Sequence, residues 1–353
     1  MVTFLDLIKD IEFRKFSSNR LSVGTGNFDY FFPDILPPLY KYTRIDDYVI
    51  DNIINNQISA TRIGEFNDLF DGAFHQYGTL KEREDFAQKE WEKMEKLRIL
   101  AKLPKMLEED YYVDIRKKHL KKESRLKFRE LDYLNTFVCC FSTQNNSTLM
   151  WSHYAASNTG ICIEYNFNLL SEESIIRNSI FPVAYSNLPV NLQDLLDDKN
   201  HKVFQYSLDS AVLCAALNKA NVWKYEQEWR MVLVLAPLDQ KGKWISLCAP
   251  APSSVIFGYH FLKPFFYYND NKLSGNAKES IKKTKKLLEY LEKNKIPVAI
   301  MRPMIGKYEL FPQPIAIQSL IDLINQNFNH DEPEDMRYYY VIHDQLMELL
   351  DNE

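Results

Sequence analysis

The residue pattern predicts an α+β protein with a mixed or antiparallel sheet at its core, a helical insertion and a helical C-terminal tail. Three observations lead there. Short apolar β-type runs are scattered among helical segments of unequal length. Strands and helices do not alternate regularly enough for a doubly wound parallel sheet. Glycine is scarce, 10 in 353 residues, and neither GxGxxG nor GxxxxGK[ST] occurs, which argues against Rossmann and P-loop nucleotide sites. The chain is 46% hydrophobic, enough for one large domain with insertions or two smaller ones.

Residues 1–38 read as a leader, a short amphipathic helix followed by an aromatic stretch that ends in Leu36-Pro37-Pro38. Residues 39–315 form the main domain. Leu39 to Tyr42 is a short strand. Asp46 caps a helix whose apolar positions are Val49, Ile50, Ile53 and Ile54. Ile58 to Thr61 is a second strand, running into the turn-rich segment 64–72. Lys and Glu dominate residues 80–132, where apolar residues recur at helical spacing around a break at Pro104; this is the helical insertion. Residues 137–141 are a strand. Ser147 caps a short helix through about Ser157, with Gly160 ending it. Ile161 to Tyr165 is the next strand, and residues 203–220 have a helical pattern. Strands follow at Glu228 to Leu235, Trp244 to Leu247 and Val255 to Tyr259. A helix over Lys278 to Lys293 and strands at Ile296 to Met301 and Tyr308 to Phe311 complete the domain. Residues 316–353 are a helix, an acidic loop and a helix.

Net charge is −5 with 26% charged residues, so bulk electrostatics offers no argument for nucleic-acid or anionic-membrane binding. No uncharged run approaches the ~20 residues of a membrane-spanning helix, so no membrane partner is expected. The five cysteines lie in or near apolar runs without a CxxC, which points to free thiols in a reducing cytoplasm.

Four constellations carry the candidate chemistry. Ser142 ends an apolar strand, and Met150-Trp151-Ser152-His153-Tyr154 follows on a short helix; these residues either line a pocket or pack a core and bond the backbone. In Glu226-Gln227-Glu228, two carboxylates at i and i+2 of an extended chain share a face, with Arg230 on that face as an ion-pair partner. Such a pair suits acid/base work or ribose binding if it is dry, and is a solvated strand end otherwise. Asn67 and Asp68, in Phe66-Asn67-Asp68-Leu69-Phe70-Asp71, either bond their own turn or line the same pocket. Leu39-Tyr40-Lys41-Tyr42-Thr43-Arg44 is a strand ending in phenolic and cationic groups, which either stack on a base or hold a phosphate or form an edge strand with an exposed Arg44. Asp68, Asp71, His153, Glu226 and Glu228 are suitable metal-ligand types, but no HExxH, paired histidines or EF-hand spacing occurs, so no metal is expected.

Taken in order, these stretches resemble domain-of-unknown-function family 2971, a bacterial family. The resemblance rests on Leu39 to Tyr42, Phe66 to Asp71, Ser142 with Leu149 to Ala155, Gly160 to Glu164, and Lys219 with Trp223 to Arg230. It covers roughly residues 36–315 and departs at Leu69, where a proline is expected. The family name implies an architecture and a site, not a reaction. The order Arg44, Phe141-Ser142-Thr143-Gln144 and Glu226-Gln227-Glu228 is similar to that of arginine–serine–glutamate ADP-ribosyltransferases, and implies a split sheet and NAD as substrate. The roles this implies are Glu228 on the ribose 2′-hydroxyl and developing cation, Glu226 on the nucleophile, Arg44 on the pyrophosphate and Ser142 positioning Glu228. Tyr154 or Trp151 would stack on a ring.

The expected function is therefore NAD-dependent ADP-ribosyl transfer or NAD hydrolysis, in a stress or anti-phage defence setting, with a protein or nucleic-acid acceptor left open. A non-catalytic nucleotide- or protein-binding module is the first alternative. A metal-dependent hydrolase or nuclease using Asp68, Asp71, His153 and Glu228 is the second.

Overall fold

The computed structural model of the chain describes residues 35–68, 70–72, 74–75, 92, 136–187, 190–191, 215–234, 242–266, 268–269, 272–273, 275–328 and 336–352, with the short pairing of 14–15 against 29–30. The leader helix and, apart from Glu92, the helical insertion over 80–132 lie outside the described residues.

Strand β1 is Leu39–Thr43. Helix α1, Asp47–Ile54, starts where the Asp46 carboxylate accepts from the Val49 amide at 2.8 Å, and it buries Ile50 and Ile53. Strand β2 is Gln57–Arg62 and β3 is Thr136–Ser142. Helix α2, Thr148–Tyr154, is capped by the Ser147 hydroxyl, which accepts from the Met150 amide at 3.4 Å. It ends earlier than the spacing predicts. Ala156, Ser157 and Asn158 turn left-handed (φ 48, 56 and 67°), and the Asn158 and Gly160 amides bond back to the Trp151 and Ala155 carbonyls at 3.2 and 2.8 Å.

Strands β4 (Ile161–Tyr165), β5 (Ile180–Pro182) and β6 (Ala184–Ser186) follow. Residues Asn218–Ala220, expected to be helical, are instead strand β7, because they pair in parallel with β6. A 3₁₀ turn over Asn221–Glu226 leads into β8, Glu228–Val234. The rest is β9 (Trp244–Cys248), β10 (Ser254–Phe257), α3 (Gly275–Lys293), β11 (Val298–Pro303), β12 (Leu310–Ile315), α4 (Ile317–Phe328) and α5 (Met336–Asn352).

Ten strands make one open sheet, in the order β9-β2-β3-β1-β4-β10-β11-β12, with β8 and then β5 on the other side of β3. Only β10 and β11 run parallel within it, so the architecture is α+β with a mostly antiparallel sheet. Directly opposed residues share a face. Leu39, Phe137, Cys139, Phe141, Ile163, Val255, Phe257 and Ile300 point to the larger core. Helices α1, α3, α4 and α5 cover that face with Ile50, Leu287, Leu320 and Leu346 among others, so α4 and α5 belong to the same core as the sheet. The opposite face carries Tyr42, Cys162, Ile256 and Met301, covered by Met150, Trp151 and Ala155 of α2 and its end.

Strand β3 is the key to the site. Along β8 it pairs continuously from Thr136 to Ser142. On its other side two strands share it: β2 meets only Phe137 and Val138, and β1 meets only Ser142. Cys139, Cys140 and Phe141 thus have no strand opposite them on that side among the described residues, and the sheet opens there.

Candidate functional site

A cavity of about 530 Å³ occupies this opening, within the size range of small-molecule sites. Tyr40, Lys41, Tyr42 and Arg44 come to it from β1 and its end, Thr61 from β2, Glu65, Phe66, Asn67 and Asp71 from the turn after β2, and Cys140 and Phe141 from β3. Met150 and Tyr154 of α2 and the charged residues Lys219, Glu226 and Glu228 complete the lining. Tyr40 and Tyr42 lie on one face of the sheet, and Lys41 and Phe141 on the other. The cavity reaches both sides because the gap between β1 and β2 lets it through.

Glu226 and Glu228 do not share one extended strand. Glu226 ends the 3₁₀ turn, Gln227 takes a left-handed conformation (φ 43°), and Glu228 begins β8. Both side chains still converge, because Lys219 of β7 reaches between them, with Nζ 2.5 Å from Glu226 Oε2 and 2.9 Å from Glu228 Oε2. Behind Glu228, the Arg230 guanidinium grips two carboxylates. It meets Glu228 at 2.8 and 3.1 Å, Asp71 at 2.6 and 2.9 Å, and the Ala216 carbonyl at 2.7 Å. Arg230 is wholly buried, and Glu226 and Glu228 are 2% and 4% exposed. The Tyr154 hydroxyl donates to Glu226 Oε1 at 2.7 Å, and the Tyr185 hydroxyl accepts from the Glu228 amide at 2.8 Å.

The two carboxyls are driven in opposite directions. Burial works to raise the pKa of Glu228, but Arg230 and Lys219 outweigh it and hold it down at about 2. Burial also raises that of Glu226, and here Lys219 and Tyr154 only partly offset it while the Glu228 charge adds to it. Charge balance agrees: three carboxylates (Asp71, Glu226, Glu228) face two cations (Lys219, Arg230), and Glu226 is the one without a full counter-charge. Tyr154 is pushed upward by burial and by Glu226, so it stays a phenol and a donor. Burial lowers the Lys219 pKa, but Glu228, Asp71 and Glu226 raise it further, so Lys219 stays charged.

The remaining sequence candidates fall into two groups. Arg44 lines the mouth, 75% exposed, with Nε 3.3 Å from Asp46. Tyr40, Tyr42 and Asn67 also line the cavity, and Tyr42 donates to the Gln144 carbonyl at 2.8 Å. Ser142 stands opposite Glu228 in the ladder but is fully buried behind the wall. Its hydroxyl donates to the Glu226 carbonyl at 2.6 Å and accepts from the Gln144 amide at 3.0 Å, so it holds the turn that carries both glutamates. Trp151 is a core residue, 0% exposed, stacked edge-on against Tyr42 and donating to the Asn145 carbonyl at 2.7 Å. His153 is exposed and faces Tyr225, outside the lining. Asp68 closes its own turn by accepting from the Phe70 amide at 3.0 Å. Among the described residues no three His, Cys, Asp or Glu side chains are grouped to hold a metal ion, no helix is long and apolar enough to cross a membrane, and Cys139, Cys140, Cys162 and Cys248 are free thiols.

No local pattern in the sequence marks Lys219, Cys140 or Tyr185. Lys219 stands among the motif residues but nine positions from Glu228, with no periodicity tying it to the glutamates. The others are placed by pairing between distant strands.

Comparison with curated proteins and with solved structures finds no match to this chain. Residues 150–231, from α2 through the glutamate pair to Met231 of β8, match the family described as "Protein of unknown function (DUF2971)".

Proposed function

We propose that this protein breaks the N-glycosidic bond of NAD, as an ADP-ribosyltransferase or NAD glycohydrolase, with Glu226 as acid/base group and Glu228 as fixed anion. The observation that carries the reading is the pair of adjacent glutamates, bridged by Lys219 and driven in opposite directions, on the wall of a cavity of about 530 Å³. Two carboxyls with separated acidities are the arrangement that divides acid/base work from charge stabilisation.

Cleavage of a glycosidic bond passes through an oxocarbenium-like state. Glu228, ionised and oriented by Arg230, presents negative charge where that cation develops. The C1′–N bond breaks and neutral nicotinamide leaves. A water or acceptor hydroxyl forms the new C1′–O bond from the opposite face, and its proton passes to Glu226, which burial makes a stronger base than an ordinary carboxylate. Tyr154 steadies Glu226 through its hydroxyl, and Tyr40, Tyr42 and Phe66 offer rings to the base or to nicotinamide. Arg44 at the mouth suits the pyrophosphate.

The test is incubation of the purified chain with NAD, with and without a cell extract as acceptor source, followed by mass-spectrometric detection of nicotinamide and ADP-ribose. Glu226→Gln is expected to lower turnover by about 10²–10⁴-fold. Absence of NAD binding and of turnover in the wild type, or full activity in Glu226→Gln, overturns the reading. One observation favours a second one: Tyr154, Lys219 and Arg230 occupy both glutamates so fully that the site could bind a nucleotide without chemistry. A nucleotide that raises the melting temperature but is recovered intact would establish that alternative.

A further inference from the structure

Lys41 is the cation that the glutamate network does not use. By alternation along β1 it points to the core side of the sheet, where a lysine is out of place. Its ammonium donates to the Cys139 thiol at 3.3 Å and stands 5.6 Å from the centre of the Phe141 ring. Both neighbours belong to the stretch of β3 left without a partner strand between β1 and β2. No carboxylate of the described residues lies within ion-pair distance of it, whereas Lys219 and Arg230 each have two. Lys41 is only partly exposed, and it lines the cavity.

A thiol and a ring face are weak substitutes for water around an ammonium. A cation enclosed in this way has no carboxylate partner among the described residues until an anion arrives. Arg44 cannot take that role alone: it is largely in solvent and already paired with Asp46. On the opposite wall Lys219 and Arg230 are already engaged by Glu226, Glu228 and Asp71, so among the described lining residues the cations free of that network are Lys41 and Arg44, on the β1 side.

We infer that Lys41, in the gap between β1 and β2, is the main anchor for a diphosphate group of the ligand, with Arg44 assisting at the mouth. This rests on the reading of the cavity as a nucleotide site, and it names the part of the ligand that the opening in the sheet receives. The ligand class is therefore a nucleoside diphosphate or dinucleotide; a free nucleoside or neutral sugar lacks the group that Lys41 needs.

The experiment is calorimetric titration of the full chain with inorganic pyrophosphate, ADP, NAD and adenosine, each at two salt concentrations, with melting curves for every variant. ADP and pyrophosphate are expected to bind, more weakly at high salt, and adenosine at least about tenfold more weakly than ADP. Lys41→Met is expected to weaken ADP and pyrophosphate about tenfold or more, and Lys41→Arg to restore part of the loss. Without ligand, Lys41→Met is expected to melt close to the wild-type temperature, because no carboxylate loses a partner. A lysine with a purely structural role would give the reverse pattern, a lower melting temperature with unchanged affinity, and that result overturns the inference. So does equal binding of ADP and adenosine. If Lys41→Met does not fold, Lys41→Gln makes the same comparison. Retained pyrophosphate binding without NAD cleavage would sink the catalytic reading alone; retained cleavage in Lys41→Met with unchanged affinity would sink this inference alone.

Discussion

Arg230 shows how much one side chain can organise. It is wholly buried, yet five hydrogen bonds to Glu228, Asp71 and the Ala216 carbonyl satisfy its guanidinium. A buried ion pair adds little net stability when intact, but removing one partner leaves the others charged and dry. Arg230→Leu strands Asp71 and Glu228 together, and is expected to cost about 3–5 kcal/mol, read as a lower denaturant midpoint. An unchanged midpoint would mean that the network does not hold the turn to the strand. Arg230→Lys recovers only part, because an ammonium cannot meet both carboxylates with paired donors. Asp71 is tied here to a residue far along the chain, so the same contact fixes the loop that lines the cavity.

At the scale of elements, the site depends on how closely α2 and β1 approach. The chain leaves α2 through three left-handed residues and enters β4 at Gly160. A Cβ on Gly160 would lie 2.2 Å from the Thr43 carbonyl oxygen and 2.9 Å from that of Ala155. Both are backbone atoms and cannot swing aside. Gly160→Ala is therefore expected to cost at least about 3 kcal/mol and to move the end of β1, which leads into Arg44, away from α2, which carries Tyr154. A melting curve measures the first effect and loss of ligand affinity the second; a variant as stable as the wild type would refute this account of the junction. Helix α2 does for the lightly covered face of the sheet what four helices do for the other. It supplies Met150 and Trp151 as core and Tyr154 as the contact to Glu226.

At the scale of the whole molecule, two titrating regions divide the response to acid. Helix α5 docks on the rest through His343, whose Nε2 lies 3.3 Å from the Tyr259 carbonyl, and through Tyr339, whose hydroxyl lies 2.8 Å from His260 Nδ1. Burial lowers both imidazole pKa values. His343 and Lys263 lower His260 further, and Arg302 lowers His343 further against Tyr259 and Asp344. A histidine kept neutral in the fold favours the fold above its unfolded pKa of about 6.5 and loses that contribution as pH falls below it. Glu228, held down at about 2, favours the fold above its ordinary 4.5 and loses that contribution only between there and 2. Glu226, raised, has the opposite sign, and its effect falls above pH 4.5, where it works against the histidine loss and not against that of Glu228. The melting temperature is expected to fall in two stages, the first near pH 6 and the second below pH 4.5. The double variant His260→Gln, His343→Gln should lack the first; if it keeps it, the histidine account fails. The sequence alone determined most of the elements, because caps and apolar periodicity act within a few residues: Asp46 starts α1, Ser147 starts α2, and the runs at 39–42, 137–141, 161–165 and 228–235 mark strands that the structure places within a residue of those bounds. It also marked Glu226 and Glu228, since close carboxylates before an apolar strand are a local pattern. Only the tertiary structure decided that Trp151 is core, that His153 faces outward, that Ser142 holds the glutamate turn, and that β1 and β2 part over β3 to admit Lys41. Those outcomes depend on which strands pair and in what register, and no window of neighbouring residues contains that information.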